Sequence, residues 1–121
     1  MASLEEVNQL ALGVSDFRLE SYDGWRLLVI GRFDLSYYHD IELVFSGVTF
    51  IRCPTSFDRP RFIDAGFVPG GFRTMIQTEE GEFEIVAESL DATIGKVFHY
   101  DRGDQLQPGE RIADWVKRKN A

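Results

Sequence analysis

The segment 32–61 reads RFDLSYYHDIELVFSGVTFIRCPTSFDRPR and is the densest run of aromatic and β-branched residues in the chain. Within it, 41–45 (IELVF) and 48–51 (VTFI) have the composition of strands, and Ser46-Gly47 separates them. Two strand-like runs joined by two turn-forming residues predict a β-hairpin. The polar segments on either side of this predicted hairpin are expected to be loops, and a binding site is expected there first.

A second hairpin is predicted immediately before this segment. Residues 17–22 alternate between apolar and polar side chains, and Asp23-Gly24 follows them. This dipeptide suits a type I′ turn, which needs positive φ at both central residues. The returning strand, 25–33, contains the apolar run 27–30, which predicts a central strand covered on both faces.

Four further strands are predicted downstream, over 62–67, 72–78, 82–88 and 93–100, with glycine-containing turns between the first three of them. The third of these strands alternates strictly. Phe83, Ile85 and Ala87 fall on one face and glutamates fall on the other. This pattern predicts a half-buried strand whose carboxylate face is turned toward water.

The two ends of the chain are expected to be helical. Ser3 and Glu6 have the spacing of a capping box, which predicts a helix over 3–12. Apolar side chains at helical spacing predict a second helix from about 110 to 119. These apolar residues are Ile112, Trp115 and Val116.

The predicted elements define the fold class as mostly β (α+β). About eight strands, with turn signals every 8–12 residues, are typical of an antiparallel sandwich or roll. Helical crossovers between strands are not predicted, which argues against a parallel sheet. We expect one domain, 1–121, flanked by short N- and C-terminal helices, because 121 residues are too few for two cores.

Composition narrows the classes of partner. The net charge is -7, so nucleic acid and anionic membranes are not expected to bind, whereas a basic protein partner is. The same charge could serve solubility alone. The first residues lack the pattern of a signal peptide, and no apolar run reaches the roughly 20 residues of a membrane span, so we expect a cytoplasmic protein.

The histidines and the cysteine are the candidates for chemistry. His39-Asp40 could serve as a base or a metal ligand, although adjacent residues in an extended segment point to opposite sides. His99 and Asp101 could join them in a metal site if their strands were neighbours. Cys53 is a single cysteine before a proline, which favours a small semi-buried hydrophobe over a nucleophile. We assign no catalytic residue, no metal and no cofactor.

Aromatic residues in the predicted loops are the remaining candidates for contact. Tyrosine at a rim buries area while keeping a polar tip in water, which favours binding. Phe33 belongs to the same loop group. The residues predicted to bind a partner or ligand are Tyr37, Tyr38, His39, Asp40, Phe57 and Arg61.

The run YHDIELVFSGV at 38–48, followed by Pro54, Phe57 and 60–62, resembles small bacterial β-rich domains of uncharacterised function. It is also similar to small acidic immunity proteins of bacterial toxin systems, which carry a His-Asp pair before an alternating strand. The resemblance covers a minor part of the chain. It implies a small cytosolic binding protein and carries over no catalytic residue.

These observations lead to one functional hypothesis and two alternatives. The first is a non-enzymatic bacterial protein that acts by protein contact, as an immunity or inhibitor protein would. The second is a small-molecule-binding or enzymatic β-sandwich with a pocket near His39 and His99. The third alternative, a homodimer formed through an exposed strand edge, is compatible with either.

Overall fold

A computed structural model describes residues 2–12, 16–32, 38–103 and 105–116. In these ranges the chain forms one helix and ten strands. The elements are α1 (Leu4–Ala11), β1 (Asp16–Tyr22), β2 (Arg26–Arg32), β3 (Tyr38–Ser46), β4 (Phe50–Arg52), β5 (Ser56–Asp58), β6 (Arg61–Val68), β7 (Gly71–Thr78), β8 (Gly81–Ala87), β9 (Ser89–Phe98) and β10 (Arg111–Ile112). One sheet has the order β10-β9-β3-β2-β1-β5 and the other β4-β8-β7-β6. The predicted antiparallel sandwich is confirmed.

The hairpin of β1 and β2 forms as expected, but its turn is not the predicted type I′. Only Gly24 of the turn has positive φ, at 92°. The Asp23 carboxylate accepts hydrogen bonds from the backbone N–H groups of Trp25 and Arg26, at 2.9 and 2.7 Å. An aspartate that bonds the backbone in this way stabilises the turn through its side chain.

The predicted hairpin of 41–45 and 48–51 is wrong. β3 pairs with β2 on one side and β9 on the other, so both of its edges are occupied. β4 instead pairs with β8 in the second sheet. The chain crosses between the sheets at 47–49, where Val48 N–H donates to Trp25 O and Thr49 N–H donates to Val86 O.

The core lies between the two sheets and is rich in phenylalanine. Phe17 stacks on Phe57 with ring centroids 5.7 Å apart, and meets Phe62 edge to face at 5.5 Å. β2 and β3 supply the aliphatic part of the same cluster. Its members include Leu27, Val29, Ile41, Leu43 and Phe45, all 0 % exposed.

Helix α1 confirms the N-terminal prediction, capping box included. Val7 and Ala11 are its buried residues, and both belong to the core cluster. The Asn8 side chain donates to Phe62 O and accepts from Phe62 N–H, both at 2.8 Å. One amide side chain thus bonds the edge of β6 as a neighbouring strand would.

The predicted C-terminal helix is wrong for the residues described. Arg111 and Ile112 form β10, which pairs in parallel with the end of β9, and Ala113 N–H donates to Phe98 O at 2.9 Å. Strand pairing here covers part of an otherwise open edge of β9, which a docked helix would leave unpaired. Residues 117–119 of the predicted helix lie outside the described ranges.

The helix within these ranges lacks the length and apolar character needed to cross a membrane.

Candidate functional site

The predicted binding residues do not form one site. Tyr38, His39 and Asp40 lie at the start of β3. Phe57 is 5 % exposed in the core, so it is not a rim residue. Arg61 begins β6 in the other sheet. Tyr37 lies outside the described residues, as does Phe33.

His39 is the most unusual of these residues because a polar ring is fully buried. It is 0 % exposed, and its Nδ1 lies 2.8 Å from Nε2 of His99. The sequence predicts that the two histidines can meet only if their strands are neighbours. β3 and β9 are paired neighbours, so this condition is met. The rings contact each other directly, with centroids 5.1 Å apart.

Glu42 and Arg111 complete a polar cluster around the buried ring. Glu42 is 9 % exposed, and its Oε1 lies 3.2 Å from Nε2 of His39. The same carboxylate oxygen receives a hydrogen bond from the Arg111 guanidinium. Alternation along β3 turns Glu42 away from the core side chains Ile41 and Leu43, so the cluster lies on the outer face of the six-stranded sheet.

The contacts of His39 select one tautomer. A lone pair on Nε2 facing the Glu42 carboxylate at 3.2 Å would be repelled, so the proton belongs on Nε2. Nδ1 then accepts a hydrogen bond from Nε2–H of His99. The Nε2–H of His39 approaches Glu42 outside hydrogen-bond alignment and has no hydrogen-bond partner among the described residues.

The His39 ring is neutral at physiological pH. Its pKa is lowered from 6.5 to about 4, chiefly by burial and to a smaller extent by the nearby cations of Arg111 and Arg18. The carboxylates of Glu20 and Asp40 oppose this effect without reversing it. A neutral imidazole of this kind offers a hydrogen-bond donor without a charge.

The segment after β10 folds back over the two histidines. The Trp115 ring lies nearly parallel to the His39 ring, with centroids 6.1 Å apart, and 5.5 Å from the His99 ring. Trp115 is 44 % exposed, so its other side faces solvent. The indole forms a wall that screens the buried imidazole from water.

This wall borders a cavity of about 470 Å³ that is partly open to solvent on the outer face of the sheet. Leu28 and Val44, which lie directly opposite each other on β2 and β3, belong to its lining. The lining also includes Ser21, Arg26, His39, Glu42, Val97, Arg111, Asp114 and Trp115. It therefore combines apolar strand residues with a buried polar cluster.

A larger depression of about 630 Å³ lies between α1 and β6 and includes Arg61 in its lining. Asn8 lies in that depression, and both the nitrogen and the oxygen of its side-chain amide are hydrogen-bonded to the backbone of Phe62. No unbonded buried polar side-chain atom of the described residues belongs to its lining. The smaller cavity is the better candidate because apolar strand residues and a buried polar cluster meet in its lining.

Cys53 has the properties expected of a structural residue. It is a half-buried free cysteine packed against the core cluster. Burial raises the pKa of its thiol to about 11, so the nucleophilic thiolate is scarce at neutral pH. Among the described residues, no group of three or more His, Cys, Asp or Glu side chains is arranged to hold a metal ion.

Sequence reasoning missed three members of the cluster. Glu42 lies within the predicted strand 41–45, and Trp115 lies within the predicted C-terminal helix. Arg111 carried no signal of its own in the sequence. The one usable signal was the pair His39 and His99, two histidines in a chain that has only two.

Comparison of the chain with protein-family models, with curated proteins and with solved structures finds no match. The functional conclusion therefore depends on the geometry of the cavity and on the charges around it.

Proposed function

We propose that this protein binds a small organic molecule in the cavity between the outer face of the six-stranded sheet and the segment 111–115. One observation carries the proposal. The cavity sets the apolar side chains of Leu28 and Val44 beside the polar cluster of His39, Glu42 and Arg111, in which His39 and Glu42 are buried. Polar groups held in place by burial beside an apolar surface are the usual composition of a small-molecule site.

The size and composition of the cavity support the same function. Its volume of about 470 Å³ falls within the range of small-molecule sites, roughly 300–1,000 Å³. Apolar side chains supply the contact area, and a few polar groups converge at one end. This combination is typical of a ligand site, in which polar groups orient the ligand and apolar contacts hold it.

A screen of chemically varied metabolites by thermal shift tests this function. Val44→Phe should fill the cavity from the sheet side and abolish stabilisation by any compound that binds there. Ser89→Phe, an exposed position on β9 outside the cavity lining, is the matched control. The proposal fails if no compound stabilises the wild-type protein, or if every stabilising compound acts equally on Val44→Phe.

Protein contact remains a second candidate function, in which a cytoplasmic bacterial protein neutralises a basic partner. The supporting observation is a group of exposed aromatic side chains: Tyr22, Trp25, Phe50 and Phe67, between 47 and 95 % exposed. The segments that carry them meet at one end of the sandwich. Val48 N–H donates to Trp25 O, and Thr49 lies against Gly70 of the turn after β6.

Affinity capture from the native host tests the second candidate. We expect a basic protein, such as a toxin, to bind the wild-type protein and not the double variant Trp25→Ser/Phe67→Ser. Capture that is equal for both forms would exclude the aromatic end as the contact surface. Light scattering on the same samples checks the homodimer alternative.

A further inference from the structure

The cavity has two chemically different ends. Along β2 and β3, Arg26 lies opposite Ser46, whereas Glu42 lies opposite Ile30. Four residues of strand separate these two levels, which is about 13 Å. Arg26 thus marks one end of the cavity, and the cluster of His39, Glu42 and Arg111 marks the other.

The charges at the two ends differ. Arg111 is neutralised by its ion pair with Glu42. Asp114 also belongs to this end, because its neighbour Trp115 stacks on His39. At the opposite end, Arg26 belongs to none of the ion pairs between described residues, and Asp23, the carboxylate whose pKa it helps to lower, lies in the hairpin turn outside the cavity lining. The positive pole of the cavity is therefore at Arg26.

The middle of the cavity is apolar. Leu28 and Val44 face each other across β2 and β3, between the two polar ends. Both side chains are half-buried and belong to the lining, as does Val97, which is 4 % exposed. Burying an apolar chain against such side chains contributes about 0.8 kcal/mol for each CH₂ group.

From this arrangement we infer that the ligand is an elongated amphipathic organic anion, with a carboxylate at Arg26 and an apolar body over Leu28 and Val44 that ends in an uncharged group toward the His39 end. A second carboxylate at the His39 end is disfavoured by Glu42 and Asp114. The inference depends on the proposed function, since it names the class of ligand for the same cavity.

Three matched probes distinguish the parts of this ligand. Decanoate carries the anion and the apolar chain, decanedioate adds a second carboxylate at the far end, and decanediol carries no charge. The protein used is the full chain with Trp25→Phe, in which Trp115 is the remaining tryptophan. Binding then changes the fluorescence of an indole that belongs to the cavity wall.

We expect decanoate to bind most tightly, and decanedioate and decanediol to bind at least tenfold more weakly. Arg26→Gln should weaken decanoate about tenfold, and Arg61→Gln, which removes the same charge from the other sheet, should not.

Two results would overturn the class of ligand. One is decanediol or decanedioate binding as tightly as decanoate, and the other is equal affinity of Arg26→Gln and Arg61→Gln. If neutral or cationic compounds nevertheless stabilise the wild-type protein in a manner sensitive to Val44→Phe, small-molecule binding stands and only the anionic class is wrong. If no compound of any class binds, both proposals fail.

Discussion

Nδ1 of His39 lies 2.8 Å from Nε2 of His99, although sixty residues separate them along the chain. The antiparallel pairing of β3 with β9 sets His39 opposite Val97, two residues before His99. The register of this pairing shifts between His39 and Ile41. Because of the shift, His39 lies beside Glu42 on the outer face and not beside Ile41 in the core.

The buried His39 ring should make stability depend on pH. The unfolded chain takes up a proton near pH 6.5, whereas the folded chain does so near pH 4, because burial and the nearby cations lower the pKa of His39 to about 4. Between these values the unfolded state binds more protons, so acid destabilises the fold. Lowering the pH from about 7.5 to about 5 should reduce the free energy of unfolding by about 2 kcal/mol through this residue.

Urea unfolding of the wild type and of His39→Gln at both pH values measures this contribution. Carboxylates affect the two proteins alike, so the difference between their pH dependences isolates His39. Parallel pH dependences would show that the ring is not buried in its neutral form.

The tautomer of His39 is a direct test of the polar cluster. We expect the proton on Nε2 at neutral pH, because the Glu42 carboxylate lies 3.2 Å away. Nitrogen chemical shifts of a ¹⁵N-labelled sample distinguish the two tautomers. In Glu42→Gln the carboxylate is gone and the preference should weaken; a proton found on Nδ1 of the wild type would contradict the assigned bonding.

Trp115→Ala should open the wall over the two histidines. We expect a loss of about 1–3 kcal/mol in stability from the missing ring contacts and apolar area. Water would then reach His39, so its pKa should rise toward 6.5, as measured by NMR titration. Trp25→Ala is the matched control, since Trp25 is 57 % exposed at the other end of the molecule. An unchanged pKa in Trp115→Ala would mean that the indole does not screen the ring.

Gly31→Ala should destabilise the protein by overpacking. A Cβ at Gly31 would overlap the ring of Phe17, which is 1 % exposed in the core. Extra volume in a well-packed core costs about 1–3 kcal/mol. The control is Gly95→Ala, where the nearest atom would be Gly109 O at 3.4 Å. In thermal unfolding, adding Phe17→Leu to Gly31→Ala should partly restore the melting temperature. Equal melting temperatures for Gly31→Ala and Gly95→Ala would argue against a close contact between Gly31 and Phe17.

Asn8→Ala should loosen α1 from β6. It removes two part-buried hydrogen bonds to Phe62, each worth about 0.5–1.5 kcal/mol. Asn8→Asp keeps an acceptor for Phe62 N–H but sets a carboxylate against Phe62 O, so it should be no more stable than Asn8→Ala. Hydrogen exchange of the Phe62 amide reports the contact directly, and unaltered protection in Asn8→Ala would disprove it.

Local chemistry made part of this fold predictable. The capping box of Ser3 and Glu6 defined the start of α1, and the apolar run 27–30 defined β2 as a central strand. Both signals act within a few residues of chain. The hairpin predicted at Ser46-Gly47 does not form, because β9 occupies the edge of β3 with which the residues after Gly47 would have paired.

The C-terminal segment illustrates the same limit. Ile112, Trp115 and Val116 have helical spacing, but Ile112 pairs with β9, and Trp115 covers two histidines with one face of its ring. Helical spacing shows which side chains are apolar but does not show which parts of the fold cover them. Pairing with the open edge of β9 stabilises residues 111–112 as a strand more than the local sequence stabilises a helix.

The sequence by itself determined the class of the fold, the acidic net charge and the small number of histidine and cysteine residues available for chemistry. Only the tertiary structure decided that His39, Glu42, His99, Arg111 and Trp115 meet in one place. The physical reason is that strand pairing and register are non-local: β3, β9 and β10 contribute to one face through hydrogen bonds between segments far apart in the chain.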